Sequence, residues 1–243
     1  MKITILSIFP TMFNDFIETS IVKKAVLKNY ASIELVDIRK FTQDTHNRVD
    51  DYPFGGGNGM ILQYQPVISA LNTVVKPTSR VIMMTPSGRT LKQSIVRELS
   101  NYTDIVLICG HYEGYDERIL EHVDEVISIG DYILTGGELA AMVLTDALVR
   151  LVPGVIKEDS HLEESFETGL LEHPQYTRPA SIEGLDVPEV LMSGHHKNID
   201  KYRLKESFKK TLKYKPELIN VYKFSKEDLE IYKEALIEYN KDK

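Results

Sequence analysis

The chain has 243 residues, of which 42% are hydrophobic and 27% are charged. These values exclude a disordered chain, a collagen and a disulfide scaffold, and they fit one large domain with or without a smaller one. The longest apolar stretches reach about six residues against the roughly 20 that a membrane span needs, and we expect no signal peptide. The single cysteine, Cys109, cannot form an internal disulfide and predicts a cytoplasmic protein.

The chain alternates between strand and helix patterns up to about Val155. β-rich or fully apolar runs predict strands at residues 3–9, 33–38, 81–84, 105–109 and 123–129. Apolar residues at helical spacing predict helices that begin near Phe13, near Leu91 and at Glu138. This alternation predicts an α/β fold, in which a mostly parallel sheet carries helices on both faces.

The character of the sequence changes after Lys157. A polar stretch without either period comes first, and prolines and two helical patterns follow beyond Gly169. We therefore predict a large domain over residues 1–157, a linker over 158–168 and a small helical domain over 169–243. Ser225 and Asp228 form a capping-box signal for the last helix, whose predicted apolar stripe starts at Leu229.

The net charge is −7, which argues weakly against nucleic acid, but one segment is basic. Residues 195–215 contain eight Lys or Arg against two Asp or Glu, a local charge of +6. Within it, four lysines recur every four residues along one flank of the predicted helix: Lys201, Lys205, Lys209 and Lys213. The segment fits either a solvated helix face or a surface that attracts a polyanion.

Three glycine-containing loops stand out. Residues 49–60 carry four glycines in five positions, and two further loops, 109–118 and 128–138, each follow a predicted apolar strand. Such loops let backbone N–H groups approach a ligand closely, although the first also fits a flexible turn. No Lys-Ser/Thr follows the first loop, and neither of the others contains G-x-G-x-x-G. The pattern favours a nucleoside site over a dinucleotide or triphosphate site.

The polar linker contains paired carboxylates, which can act as a general base where one is partly buried, although a charged linker also fits a solvated loop. The acidic residues and their neighbours are Asp159, His161, Glu163, Glu164 and Ser165. The histidines lack metal-ligand spacing, so a structural zinc site is not expected. Cys109 lies in an apolar strand and is predicted to be a packed core thiol.

In combination the motifs closely resemble the bacterial tRNA (guanine-N1)-methyltransferases. The resemblance rests on V-D-D-x-P-x-G-G-G-x-G-M from Val49, G-H-Y-E-G-x-D-E-R from Gly110, S-I-G-D-Y-x-L-x-G-G-E from Ser128 and P-Q-Y-T-R-P from Pro174. Two further stretches, S-I-F-P-x-M-F from Ser7 and L-M-S-G-H-H from Leu191, also look like that family. The similarity extends over essentially the whole chain.

The resemblance implies a fold that periodicity could not have shown. It predicts a SPOUT-type α/β domain with a deep trefoil knot, an exception to the rule of un-knotted chains. It also predicts a homodimer with each active site at the subunit interface, S-adenosylmethionine as methyl donor, Mg²⁺ dependence and the tRNA anticodon arm as substrate. The methylated atom would be N1 of the guanine at position 37, immediately 3′ of the anticodon.

The same resemblance assigns site residues. The cofactor pocket would use Pro86, Gly110, Glu113, Ile129, Gly130, Asp131, Tyr132, Ile133, Leu134, Gly136 and Gly137. Contacts to tRNA would come from Asp50, Gly55, Gly56, Gly57 and Ser165, together with the four lysines that recur every four residues. It names no metal ligands.

Two catalytic residues follow from the resemblance. An arginine that stabilises charge on guanine O6 matches Arg150, and the base that removes the N1 proton matches Glu164, where the family has aspartate. A one-residue slip would move the base to Glu163, and Glu172 replaces a second family aspartate. Two alternatives remain: an enzyme of this fold that methylates another base, and a non-catalytic RNA-binding protein.

Overall fold

The computed structural model describes residues 1–157 and 164–241. The chain divides into two compact units, Met1–Lys157 and Glu158–Lys243. Across the described ranges, no helix is both long enough and apolar enough to cross a membrane.

The first unit is built on a parallel sheet. Its strands are β1 (Lys2–Ser7), β2 (Ser32–Asp37), β3 (Asp50–Asp51), β4 (Ile61–Leu62), β5 (Arg80–Thr90), β6 (Asp104–Cys109) and β7 (Glu125–Ser128). Its helices are α1 (Asn14–Ile17), α2 (Ser20–Leu27), α3 (Tyr64–Val74), α4 (Gln93–Leu99) and α5 (Glu138–Arg150). Five strands form one sheet in the order β2-β1-β6-β5-β7, with every neighbouring pair parallel. The predicted α/β fold with a parallel sheet is therefore confirmed.

The sheet is buried on both faces, and its central strand β6 is apolar at every position after Asp104. In β6, Ile105 and Leu107 pack into one core cluster, while Val106 and Ile108 pack into a second cluster on the opposite face. Helices α2, α4 and α5 contribute buried residues to the first cluster and α3 to the second. A continuous apolar strand is what a sheet covered on both faces requires.

Two local expectations were wrong, and two features were not predicted. The helix expected to begin near Phe13 is divided: α1 ends at Ile17, and Ser20 takes a left-handed φ of 54° before α2 continues. Strand β5 does not end at Met84, because Arg89 and Thr90 resume pairing with β7 after an irregular stretch. The motif-based reading also missed α3 and the β3–β4 hairpin, which flanks the glycine-rich loop.

The second unit is small and mostly helical. Its described elements are β8 (Ser181–Ile182), β9 (Leu185–Asp186), α6 (Glu189–Met192), α7 (His196–Tyr214) and α8 (Lys226–Lys241). The capping box is confirmed: Asp228 N–H donates to Ser225 Oγ and Ser225 N–H donates to the Asp228 carboxylate, both at 3.0 Å. The apolar stripe expected on α8 is partly wrong, because Leu229 is exposed, whereas Ile231 and Ala235 are buried.

Phe208 of α7 is the centre of the second unit's core. It is fully buried, and its ring lies 5.4 Å from those of Tyr222 and Tyr232 and 5.6 Å from that of Phe224. We expect Phe208→Ala to lower the free energy of unfolding of this unit by about 3–5 kcal/mol. The measurement is denaturant unfolding. Leu229→Ala, at an exposed position on α8, is the control, and an equal loss in both variants would contradict the assignment of the core.

Candidate active site

Three loops meet at one edge of the sheet. Strands β6, β5 and β7 are neighbours and run parallel, so the segments that follow their apolar portions lie side by side, as ligand-binding loops do in α/β sheets. Residues of 84–87, 110–117 and 127–137 surround a cavity of about 580 Å³. This size suits a nucleoside-sized ligand.

The cavity contains nearly all of the residues that the resemblance assigned to the cofactor. Every one of them lines it except Asp131, which is exposed on the loop after β7. The sequence reading missed several polar lining groups, including Thr85, Ser87, His111 and Glu117. The feature that could have identified them is their position in the glycine-containing loops that follow the apolar strands.

The glycines allow the loops to approach each other. Gly137 N–H donates to the Gly110 carbonyl at 2.7 Å. A Cβ atom on Gly137 would lie 2.9 Å from Gly110 N and 3.0 Å from Cys109 Cα, distances that require a shift of the backbone. Gly130 has a φ of 150° and faces the Tyr132 ring. The cavity wall is therefore backbone at these points, which lets a ligand lie against peptide groups.

A buried carboxylate supports the start of α5 beneath this wall. Glu138 is 2% exposed and accepts a hydrogen bond from Ser7 Oγ at the end of β1, at 2.7 Å. The adjacent Cys109 is fully buried, and burial together with the Glu138 charge raises the pKa of its thiol well above the usual range. Cys109 is thus a packed core thiol, as the sequence predicted.

Tyr112 joins the cavity to the glycine-rich loop. Its side chain lines the cavity, and its hydroxyl lies 3.3 Å from the Arg39 guanidinium, with the Asp50 carboxylate as a second partner. Burial and the Asp50 charge raise the pKa of this hydroxyl, so it stays protonated. Asp50 therefore lies beside the cavity, whereas Gly55, Gly56 and Gly57 lie on the exposed loop between β3 and β4.

Arg150 lies apart from the cofactor loops of its own chain. It is the last residue of α5 and lines a second cavity of about 390 Å³, together with Asp15 and Asp146. Ala140, which lines the first cavity, precedes Arg150 by ten residues, or about 15 Å along a helix axis. The two cavities share no lining residue.

Glu164 and Ser165 belong to the second unit. Glu164 is half-buried, and its carbonyl accepts the N–H of Glu167 at 3.2 Å. Ser165 Oγ accepts the N–H of Glu172 at 3.0 Å, and Phe166, with a φ of 74°, donates its N–H to Leu170. These bonds form a compact turn. Asp159, His161 and Glu163 lie outside the described residues.

The four repeating lysines do not share one environment. Lys201 pairs with Glu234 at 2.8 Å, Lys205 pairs with Glu238 at 2.6 Å, and Lys209 pairs with Glu206 and Glu238. The hydrogen bond from Lys205 is the main cause of the lowered pKa of Glu238. Three of the lysines therefore contact acidic residues within the second unit, while Lys213 is exposed beside Tyr214.

Within the ranges that the structure describes, no group of three or more His, Cys, Asp or Glu side chains is arranged to hold a metal ion. The geometry therefore gives no ligands for the Mg²⁺ that the resemblance predicts.

Comparison with known proteins identifies close relatives. A family model described as tRNA (Guanine-1)-methyltransferase TrmD matches residues 1–221. A tRNA (guanine-N(1)-)-methyltransferase of Mycoplasma mycoides is 50% identical over 234 residues, which are 96% of this chain and 98% of the relative. An enzyme of the same name from Bacillus cereus strain B4264 is 51% identical over 233 residues, covering 94% and 96% of the two chains.

Two variants test the cavity as the cofactor site. Gly137→Ala places a Cβ against Gly110 and Cys109, and we expect it to weaken S-adenosylmethionine binding at least about tenfold, or about 1.4 kcal/mol. Asp131→Asn changes a residue outside the lining and is expected to leave that affinity within about twofold. Calorimetric titration measures both. The reverse pattern would place the cofactor elsewhere.

Proposed function

We propose, since the chain belongs to the tRNA (guanine-1)-methyltransferase family, that it transfers a methyl group from S-adenosylmethionine to N1 of guanine 37 in tRNA. The observation that carries the proposal is the cavity at the ends of β5, β6 and β7, in which the predicted cofactor residues come together. Its glycine-lined wall and nucleoside-sized volume suit the adenosine part of that cofactor. A cytoplasmic location, predicted from the single cysteine, belongs to the same proposal.

The chemistry requires a base and a stabilising charge. Guanine N1 carries a proton at neutral pH and is a poor nucleophile, so the proton must leave as the bond to the methyl carbon forms. The cofactor supplies the methyl group from a sulfonium centre. We assign proton removal to the Glu164 carboxylate, and stabilisation of the charge developing on O6 to the Arg150 guanidinium, a donor worth about 3 kcal/mol in such positions.

Arg150 can act only if a second chain completes the site. About 15 Å of helix separates it from the end of α5 that lines the cofactor cavity, whereas a reacting group must lie within about 3.5 Å of its target. Leu139 and Val143 are about half exposed on the face of α5 that also carries Asp146 and Arg150. A two-fold dimer packed on this apolar face would bring Arg150 of one chain to the cavity of its partner.

The proposal also includes the knot, a tRNA-binding role for the second unit, and Mg²⁺. The path of the chain after β7 supports the knot. Gly137 on this segment donates its N–H to the Gly110 carbonyl at the end of β6, two strands away, and α5 then packs on β1 and β6. The division after Lys157 supports the bounds of the large domain, although it includes the predicted linker in the second unit, and the exposed Lys213 supports a tRNA-binding role for that unit. For Mg²⁺ we assign no ligand and no step.

Methyl transfer to defined RNA tests the function. We expect tritium from labelled S-adenosylmethionine to enter a tRNA transcript that carries guanine at position 37, and incorporation to fall to background when that guanine is replaced by adenine. Transfer to another base would favour the alternative of a different target. Binding of tRNA without cofactor binding or transfer would favour a non-catalytic RNA-binding protein.

Glu164→Gln tests the base. The amide keeps the shape of the side chain but cannot accept the proton, so we expect single-turnover methyl transfer to fall by about 10²–10⁴ while cofactor and tRNA binding persist. Glu163→Gln is the matched control for the one-residue slip. Full activity in Glu164→Gln with a large loss in Glu163→Gln would assign the base to Glu163.

Glu164→Asp restores the residue that the family resemblance predicts. If the surrounding turn has adapted to glutamate, the shorter side chain leaves the carboxylate too far from N1 and the rate falls, since about 1 Å of misplacement can reduce it a hundredfold. Single-turnover methyl transfer measures this rate. The affinity for tRNA is measured beside it, and we expect that affinity to stay unchanged.

Two lysine variants separate phosphate binding from packing. Lys213→Gln removes an exposed charge, so we expect weaker tRNA binding and a salt dependence shallower by about one unit of log–log slope. Lys205→Gln breaks the pair with Glu238, and we expect a smaller change in that slope together with lower stability of the second unit. Filter binding across salt concentrations and thermal unfolding measure both. An unchanged salt slope in Lys213→Gln would show that the basic face is solvated and does not bind phosphate.

A further inference from the structure

The glycine-rich loop presents an aromatic ring to solvent. Phe54 is fully exposed and Tyr52 is three-quarters exposed, between β3 and β4. The next two residues, Gly55 and Gly56, take left-handed φ values of 86° and 78°, and a Cβ on either would meet nothing within 4 Å. A fully exposed phenylalanine contributes nothing to the core, so its ring is available to a ligand.

The loop is fixed to the wall of the cofactor cavity. Glu113, which lines the cavity, donates its N–H to the Met60 carbonyl at 3.0 Å. Ile61 forms a β-bridge with Tyr112, and a Cβ on Gly59 would lie 2.5 Å from the Glu113 side chain. Phe54 therefore lies only five residues before Gly59, where the loop contacts the wall of the cavity.

The chemistry of the loop selects one kind of occupant. Residues 49–60 contain no Lys or Arg but do contain Asp50 and Asp51, so the loop itself offers no cation to a phosphate and suits a neutral ring. A protein partner would need about 800 Å² on each side, whereas the two exposed aromatic side chains together supply only about 300–500 Å². The flat face of an unpaired nucleobase matches a single exposed ring.

We propose that Phe54 stacks on the nucleotide next to the target guanine when that guanine leaves its own stack. The inference rests on the proposed function, which requires the target base to be drawn out of the anticodon loop. Removing one base exposes the face of its neighbour. A ring held at the edge of the cavity covers that face, so Phe54 is a positioning residue for RNA and not a catalytic one.

The test pairs protein variants with altered RNA. Phe54→Leu keeps an apolar side chain without a π-face, and we expect it to weaken tRNA binding about 5- to 100-fold. Phe54→Trp is expected to restore binding. S-adenosylmethionine affinity and melting temperature should match the wild type in both variants, because the residue is fully exposed.

An abasic nucleotide on one side of the target guanine completes a double-mutant cycle. Two tRNAs are used, one abasic on the 5′ side of the target guanine and one abasic on the 3′ side. With the tRNA that lacks the stacked base, on whichever side it lies, Phe54→Leu should cause no further loss of tRNA affinity. Additive losses of affinity with both abasic tRNAs would overturn the stacking alone. So would a Phe54→Leu variant that keeps wild-type affinity for a tRNA that the wild-type enzyme methylates. A wild-type enzyme that methylates no tRNA would overturn the proposed function as well.

Discussion

The close contact between Gly137 and Gly110 is the constraint on which the site depends. The hydrogen bond of 2.7 Å between their backbones brings the loop after β7 over the end of β6, across the intervening strand β5. No side chain larger than hydrogen fits at Gly137 without a shift of the backbone. The cavity exists because two segments far apart in sequence can touch through bare peptide groups.

The same contact fixes the start of α5 and, through it, the place of Arg150. Glu138 follows Gly137 and is buried with Ser7 as its hydrogen-bond donor, so the helix begins at a defined point beneath the cavity. After thirteen residues the helix ends at Arg150. A rigid helix cannot return that guanidinium to its own cavity, and the exposed apolar face that it carries provides a reason for a second chain.

Much of this architecture could be predicted from particular residues. The unbroken apolar run 105–109 indicated a strand buried on both faces, and the glycine-containing loops after 109 and 128 indicated where a ligand would lie. The resemblance then named cavity residues that no periodicity could identify. Asp131 shows the limit of a motif, since a residue between two lining residues can itself be exposed.

Other features depend on long-range contacts that a sequence pattern does not contain. The lysines at four-residue spacing predicted one basic flank, but three of them pair with acids, chiefly on α8. The pairing of Ser7 with Glu138 joins residues 131 positions apart, and β5 resumes after an irregular stretch only because β7 lies beside it. Such arrangements follow from tertiary packing.

Subunit mixing tests the central claim, that Arg150 serves the cavity of the partner chain. Arg150→Ala keeps an intact cavity, and Gly137→Ala keeps Arg150; at an S-adenosylmethionine concentration far below the Kd of Gly137→Ala, each homodimer should have little activity. After verified subunit exchange at equal amounts, half of the dimers are mixed and each has one complete site, so we predict about a quarter of wild-type activity. No recovery in a mixture shown to contain mixed dimers would contradict a site shared between chains.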